Sequence, residues 1–115
     1  MKNTESLKKN RDFLRLYRTG KYYVGRIIVI YVKENNTSSN KIGVTTVRNF
    51  GNSVCRNRMR RLIKESYRNI EDEVKLGWDI VFSARKQNGN IYSYRDIEKE
   101  MKYLLRKTGL HTKVI

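Results

Sequence analysis

The apolar residues of this chain recur in two patterns, one typical of strands and one typical of helices. Three segments are rich in β-branched and aromatic residues and are bounded by turn-forming residues, which predicts three core strands. These segments are residues 26–33, 41–47 and 77–86. For the buried side of the third strand the sequence leaves two sets open, either Trp78, Ile80 and Phe82 or Val81 and Ala84.

Helical spacing of apolar residues predicts one helix before the first strand and another after the third. The first covers residues 11–19, with Asn10 as its cap and Gly20 at its end. The other begins after Ser93, which resembles a capping box together with Asp96 three residues later. These helices and strands predict a mixed architecture built around a sheet.

A further helix is predicted for residues 52–68, with Asn52 or Ser53 as its cap. Its apolar arc consists of Cys55, Met59, Leu62, Ile63 and Ser66. Its opposite arc consists of Arg56, Asn57, Arg60, Arg61, Lys64 and Arg68. Glu65 is the one acid in residues 51–68. The pattern predicts an amphipathic helix that packs one face on the core and has a cationic back.

The charge of the whole chain indicates a polyanionic partner. The chain has 26 Lys and Arg against 11 Asp and Glu, which gives a formal net charge of +15 at pH 7. Uncompensated charge of this size destabilises a compact chain and attracts polyanions by counterion release. Nucleic acid is the leading candidate and an anionic membrane surface the second. The apolar arc of helix 52–68 is short and is needed for the core, which disfavours the membrane.

Three features of helix 52–68 favour phosphate binding over a plain solvated surface. Solvated faces usually interleave Glu with Lys four residues apart, whereas this face has almost no acids. Its cations are mainly Arg, whose planar guanidinium suits bidentate contact with phosphate. Arg48 precedes the helix, and the free N–H groups around Asn52 and Ser53 can hold a phosphate.

The neighbouring elements favour RNA over duplex DNA. A helix-turn-helix reader needs a second helix just before helix 52–68, and the sequence predicts a strand there. Aromatic rings exposed on a sheet hold unpaired bases by stacking. Phe13, Tyr17 and Tyr31 could form such a platform, or all three could be core residues.

The side chains favour a binding protein over a catalyst. The one histidine, His111, excludes a histidine acid–base pair, and the acids are scattered rather than clustered as two-metal hydrolysis requires. Cys55 is interpreted as a small core residue, and a lone cysteine fits a reducing cytosol, so we expect a cytoplasmic location. With 115 residues and no run of about 18 apolar ones, we expect one domain, residues 1–115, that does not span a membrane.

One continuous stretch resembles the signature of the bacterial ribonuclease P protein subunit, KIGVTTVRNFGNSVCRNRMRRLIKESYR at residues 41–68. It combines a Gly-Asn turn, an Arg-Asn-Arg triplet with further basic residues, and a final run of Leu, Ile, Lys and Glu. Two other segments resemble the first helix and the last strand of that family, NRDFLRLYRTG and GWDIVFSARK. The resemblance covers about residues 8–108.

This resemblance implies an α+β fold, a two-layer α/β sandwich of three helices and a sheet of about four strands, similar to a domain of one small-subunit ribosomal protein. It also implies a left-handed βαβ crossover around the Arg-Asn-Arg helix, against the general preference for right-handed crossovers. The fourth strand would be a short segment around residues 21–25 or a split of one of the predicted strands.

The resemblance further implies a division of labour with an RNA subunit. In this family the RNA removes the 5′ leader of precursor tRNA by metal-assisted hydrolysis, with Mg²⁺ held chiefly by RNA, and the protein binds that RNA and the leader. The implied partners are RNase P RNA and precursor tRNA, with no DNA expected and no catalytic or metal-binding residue on the protein. A ribosomal protein or RNA chaperone is the alternative.

Sequence and resemblance together give two sets of candidate residues. The RNA-binding set is Arg48, Asn52, Arg56, Asn57, Arg58, Arg60, Arg61, Lys64 and Arg68. The leader-binding set is Phe13, Tyr17, Tyr31 and Arg85. Two departures from the family pattern are expected to weaken or alter leader contacts: Asn49 replaces a common second lysine, and Thr45-Thr46-Val47 replaces a serine-containing run.

Overall fold

A computed structural model describes residues 4–86, 89 and 91–112 of the chain. Within these residues, three helices pack on a five-stranded mixed sheet, so the predicted α+β class is confirmed. The strands are β1 Thr4–Ser6, β2 Lys21–Val24, β3 Ile28–Glu34, β4 Asn40–Thr46 and β5 Trp78–Ala84. The helices are α1 Asn10–Thr19, α2 Ser53–Ile70 and α3 Tyr94–Lys107, with a 3₁₀ turn at Glu71–Glu73. Over the described ranges, no helix has the length and apolar composition that crossing a bilayer requires.

The strands follow the spatial order β1-β4-β5-β3-β2. β4 and β5 are parallel neighbours joined through α2, which is the βαβ unit that the resemblance implies; its left-handed sense stays a prediction. β3 is antiparallel to both of its neighbours. β2 matches the short strand expected around residues 21–25. β1 was not predicted, because its three residues, Thr-Glu-Ser, carry no apolar pattern and the strand forms by pairing with β4.

Strand β5 is buried on both faces, so each of the two predicted sets describes only part of its packing. Ile80 and Phe82 pack in a core cluster with side chains of α2 and α3. Val81 packs on the opposite face with Leu16 of α1. Both faces are buried because β5 is the central strand and helices lie on either side of it. The sheet forms one layer, and α2 with α3 forms a second layer on one of its faces. α1 therefore adds a partial third layer on the other face.

The ends of α1 and α3 test two predicted caps. Ser93 and Asp96 form the reciprocal hydrogen bonds of a capping box, as predicted. Asn10 was predicted to cap α1, and this was wrong. Lys9 occupies the cap position with an extended backbone and no side-chain hydrogen bond, and Asn10 is the first helical residue. Gly20 follows the helix directly, and its N–H donates to the carbonyl of Leu16 at 2.9 Å.

The first turn of α2 extends beyond the core. Asn52 caps it, because its Oδ1 accepts a hydrogen bond from the N–H of Cys55 at 2.9 Å. Cys55 is exposed, as is Val54, and Met59 is the first buried side chain of the helix. The prediction that Cys55 is a core residue was therefore wrong. Helical periodicity gives the apolar arc but not the point at which the sheet beneath the helix ends.

A carboxylate of α3 holds the turn between β2 and β3. The backbone N–H groups of Arg26, Ile27 and Ile28 donate to the Glu100 carboxylate, each at 2.8 Å. Gly25 permits this close approach, because a Cβ there would lie 2.6 Å from Glu100 Oε2. The start of β3 is thereby fixed to α3.

Candidate nucleic-acid interface

The cationic side of α2 faces away from the core. The helix packs on the sheet through Met59, Ile63, Ser66, Tyr67 and Ile70. Its exposed polar side consists of Asn57, Arg58, Arg61, Lys64, Glu65, Arg68 and Asn69. Arg56 and Arg60 are only half-exposed, because at 100° per residue they lie beside Tyr67 at the border of the buried face. Their predicted place opposite that face is corrected, and the exposed side is centred on Arg61.

Carboxylates leave most of the α2 cations uncompensated. In the part of the chain that the structure describes, one salt bridge lies on this helix, Arg68 Nη1 to Glu65 Oε1 at 3.1 Å, between two exposed side chains. Arg56 donates to a backbone carbonyl, and Arg60 donates to Asn57 Oδ1 at 3.2 Å. These acceptors are neutral, so the repulsion among the cations persists until an anion binds. This pattern suits a phosphate-binding surface.

The loop between β4 and α2 presents Arg48. Phe50 anchors the loop, since its N–H donates to the carbonyl of Val47 at 3.1 Å and its ring packs against the core. Arg48 and Asn49 are exposed, and so is Asn52 at the start of α2. Arg48 and the N-terminus of α2 therefore lie at one end of the fold, where β4 ends.

A line of paired residues crosses the other face of the sheet from β4 to β2. Gly43 pairs with Val81, Val81 pairs with Tyr31, and Tyr31 pairs with Tyr22. Residues that are paired across strands share one face. The ring of Phe13 from α1 lies over Gly43, where a Cβ would be 2.6 Å from the ring carbons. The absence of a side chain at Gly43 therefore lets Phe13 pack on the sheet.

Four aromatic side chains form a continuous series on this face, which we call the aromatic row: Phe13, Tyr17, Tyr31 and Tyr22. The successive ring centroids are 6.5, 4.8 and 6.0 Å apart. Tyr17 is 40% exposed and Tyr22 is 62% exposed, while Phe13 and Tyr31 are half-buried. Burial, and then the neighbouring Tyr31, raises the pKa of Tyr17, so its phenol stays neutral. Tyr17 has exposed ring surface for stacking, whereas Phe13 and Tyr31 also pack against a small core cluster. The stacking platform stays a prediction.

A second line of paired residues, which we call the floor row, lies nearer the C-terminal ends of β4 and β5. Thr45 pairs with Ser83, Ser83 with Val29, and Val29 with Val24. The first three are partly exposed and Val24 is 57% exposed. Thr46 points to the opposite face because strand residues alternate. Of these two threonines, Thr45 is therefore the one placed to meet a ligand on this face.

Arg85 lies at the end of the floor row and not beside the rings. It directly follows β5, and its Nη1 donates to the carbonyl of Gly25 at 2.6 Å. Arg85 is four residues beyond Val81, which corresponds to roughly 13 Å along an extended strand. Because β4 and β5 are parallel and in register, Arg85 and Arg48 lie at the same end of the sheet.

The exposed side of α2 and the aromatic row belong to opposite faces of the sheet. α2 packs against the face formed by Ile80 and Phe82, whereas the aromatic row lies on the face of Val81. One surface offers cations for phosphates, and the other offers rings for unpaired bases. Arg48, which precedes α2, and Arg85, at the end of the floor row, lie at the same end of the sheet.

Tyr22 is the residue of the aromatic row that sequence reasoning missed. The segment around it was recognised only as a possible short strand, without a register against β3. An available signal was the adjacent pair Tyr22 and Tyr23, because alternation places the two rings on opposite faces. Tyr23 packs against the core, and Tyr22 is exposed.

The donor set on these surfaces does not fit a protein-bound Mg²⁺. Mg²⁺ in proteins is bound through carboxylates and other oxygen ligands. Among the described residues, no group of three or more His, Cys, Asp or Glu side chains is placed to hold a metal ion. The two surfaces carry cations and aromatic rings instead.

Comparison with known proteins agrees with this fold. The family model described as Ribonuclease P matches residues 1–109. The Ribonuclease P protein component of a Clostridium botulinum strain is 43% identical over 106 residues, which cover 91% of this chain and 95% of the relative. The RNase P protein structure from Staphylococcus aureus gives a TM-score of 0.81 at 26% identity and covers 92% of this chain and 96% of that one. The RNase P protein structure from Thermotoga maritima gives a TM-score of 0.77 at 27% identity and covers 89% of this chain and 96% of that one. The chain belongs to the ribonuclease P protein family.

Proposed function

We propose that this chain is the protein subunit of a bacterial ribonuclease P and that it binds two RNA segments at once. The exposed side of α2 binds the catalytic RNA, and the aromatic and floor rows bind the 5′ leader of precursor tRNA. The holoenzyme, in the cytoplasm, removes that leader and leaves the mature 5′ end. The observation that carries this proposal is the position of two chemically different surfaces on opposite faces of one sheet.

The contribution of α2 is charge neutralisation. Its exposed cations lie on a helix fixed to the core through Met59, Ile63 and Tyr67, so they are held in place before RNA arrives. RNA strands that must approach one another repel through their phosphates, and cations between them reduce that repulsion. Arg48, at the start of the same helix, extends this contact toward the leader-binding face.

The aromatic row explains why the substrate segment would be unpaired. A stacking platform needs access to the face of a base, and bases inside a duplex are already stacked on one another. Stacking is tolerant of sequence, because every base has an aromatic face. Such a site can hold the leaders of many different precursor tRNAs.

We assign hydrolysis, and the Mg²⁺ that it requires, to the RNA subunit. The side chains of the two surfaces bind and orient RNA, and among the described residues no group of three or more His, Cys, Asp or Glu side chains is placed to hold a metal ion. The protein is thus an accessory subunit of an endoribonuclease.

Reconstitution tests the proposal. Bacterial RNase P RNA and precursor tRNA are mixed at low Mg²⁺ with and without this protein, and leader removal is followed over time. We expect the protein to accelerate removal and to give the holoenzyme a preference for precursor over mature tRNA. A ribosomal protein or RNA chaperone would bind RNA without these two effects, and that outcome would contradict the proposal.

A further inference from the structure

We propose that Tyr22 extends the path of the leader to the outer edge of the sheet, where it stacks on one further unpaired base. This inference rests on the proposed function, because it adds a contact to the same substrate. It concerns a residue that neither the sequence pattern nor the family resemblance assigned.

Tyr22 occupies the last position of the aromatic row and is the most exposed of its rings. It is paired with Tyr31 across β2 and β3, with ring centroids 6.0 Å apart and planes inclined by 34°. On the other side of Tyr31, Tyr17 makes an edge contact at 4.8 Å and 70°. Backbone pairing and ring contacts hold Tyr22 in place, and its ring is 62% exposed. A base can therefore stack on this ring without the entropy cost of ordering a loop.

The position of β2 in the sheet determines which part of the leader reaches Tyr22. β2 lies three strands from β4, roughly 14 Å at the usual strand spacing. The loop with Arg48 and the start of α2 follow β4. A leader that runs from there along the aromatic row passes Phe13 and Tyr31 before Tyr22. The proposed function places the catalytic RNA, which carries out hydrolysis, on α2, and α2 follows β4. Tyr22 therefore contacts a base further from the cleavage site than those held by the other rings.

The outer edge of the sheet has a composition that suits RNA. Edge strands commonly carry charged residues at exposed positions, which prevents pairing with other chains. Here Val24 is 57% exposed on the same face as Tyr22, so the edge offers an apolar surface. Arg18, which is exposed in the last turn of α1 and three residues before β2, supplies charge for phosphates next to the stacked base.

The test uses holoenzyme and precursor tRNAs whose leaders are shortened one nucleotide at a time, with affinity measured at fixed salt. Tyr22→Val removes the ring but keeps a residue that favours strands, and Tyr22→Phe keeps the ring. Tyr103→Ala, at an exposed tyrosine of α3, is the matched control. We expect Tyr22→Val to weaken binding about fivefold for long leaders and not at all for short ones. Tyr22→Phe and Tyr103→Ala should bind like the wild type.

Tyr31→Ala separates this inference from the proposed function. We expect its loss of affinity to begin at a shorter leader than the loss caused by Tyr22→Val. If Tyr31→Ala weakens binding and Tyr22→Val does not, Tyr22 is not part of the path, while the proposed leader site stands. If both losses begin at the same leader length, Tyr22 only supports the Tyr31 ring, and the inference is overturned. If neither variant weakens leader binding, the proposed leader site itself is wrong.

A folding defect is distinguished by the same series. If Tyr22→Val weakens binding of mature tRNA as much as of precursor, or lowers the melting temperature of the protein by several degrees, its effect is structural, and this too overturns the inference.

Discussion

Replacing Arg61 and Lys64 together by alanine tests whether α2 binds RNA through phosphates. Both side chains are exposed, and among the described residues neither forms a salt bridge. The substitutions therefore break no ion pair, and alanine is the best helix former. We expect the free energy of unfolding to change by less than about 0.5 kcal/mol. The formal net charge of +15 falls by two.

The effect on RNA binding follows from counterion release. Each phosphate contact contributes roughly 0.7 to 0.9 to the slope of log K against log salt concentration. Losing two contacts should make that slope shallower by roughly 1.4 to 1.8. Between about 50 and about 200 mM salt, the wild type should then lose about 7- to 12-fold more affinity for RNase P RNA than the variant loses.

Filter-binding titrations at several salt concentrations measure this slope. The matched control replaces Lys99 and Arg106 of α3 by alanine, which removes the same charge from the exposed face of another helix on the same side of the sheet. We expect the control to keep a slope much closer to that of the wild type. An unchanged slope in the Arg61 and Lys64 variant, or an equal fall in the control, would refute the assignment of phosphate contacts to α2.

Three further predictions concern the supports of the two surfaces. Gly43→Ala places a Cβ 2.6 Å from the Phe13 ring, so it should displace that ring and weaken binding of precursor but not of mature tRNA; equal binding of precursor by variant and wild type would contradict this. Glu100→Gln leaves the N–H groups of the β2–β3 turn without a carboxylate and should cost about 2–3 kcal/mol in urea unfolding; an unchanged unfolding midpoint would count against the role of this carboxylate. Hydrogen bonds from the backbone, and then from the side chain, of Ser93 lower the pKa of Asp96. The Asp96 carboxylate therefore stabilises α3 fully above about pH 4, and this stabilisation is lost as the pH falls through the lowered pKa. In Asp96→Asn, the melting temperature should fall less between neutral and acid pH than it does in the wild type. An equal fall in the variant and the wild type would contradict the role of the Asp96 carboxylate.

Features that depend on residues close in sequence were predictable. The amphipathic character of α2 and the capping box at Ser93 follow from spacings of three or four residues. The cap of α2 was narrowed to Asn52 or Ser53, and the structure shows Asn52. Arg56 and Arg60 were assigned to the wrong arc, since at 100° per residue they lie beside Tyr67. Cys55 was misplaced for a different reason. A helical period does not reveal which turn of the helix lies over the sheet and which extends past its edge.

Features that depend on strand register were not predictable from local patterns. Phe13 packs over Gly43 and Tyr31 lies beside Tyr22 only because four strands align in one register. The contact of Glu100 with the β2–β3 turn joins residues more than 70 positions apart. The sequence therefore identified the chemistry of both surfaces, and the sheet determined which residues meet on each.

The most direct test of the two-surface arrangement compares the Arg61 and Lys64 variant with Tyr31→Ala in two binding assays. One assay measures affinity of the protein for RNase P RNA alone, and the other measures the preference of the holoenzyme for precursor over mature tRNA. We expect the α2 variant to lower only the first quantity and Tyr31→Ala to lower only the second, by about fivefold or more. If each variant lowers both quantities to the same extent, a single surface binds both RNAs, and the arrangement proposed here is contradicted.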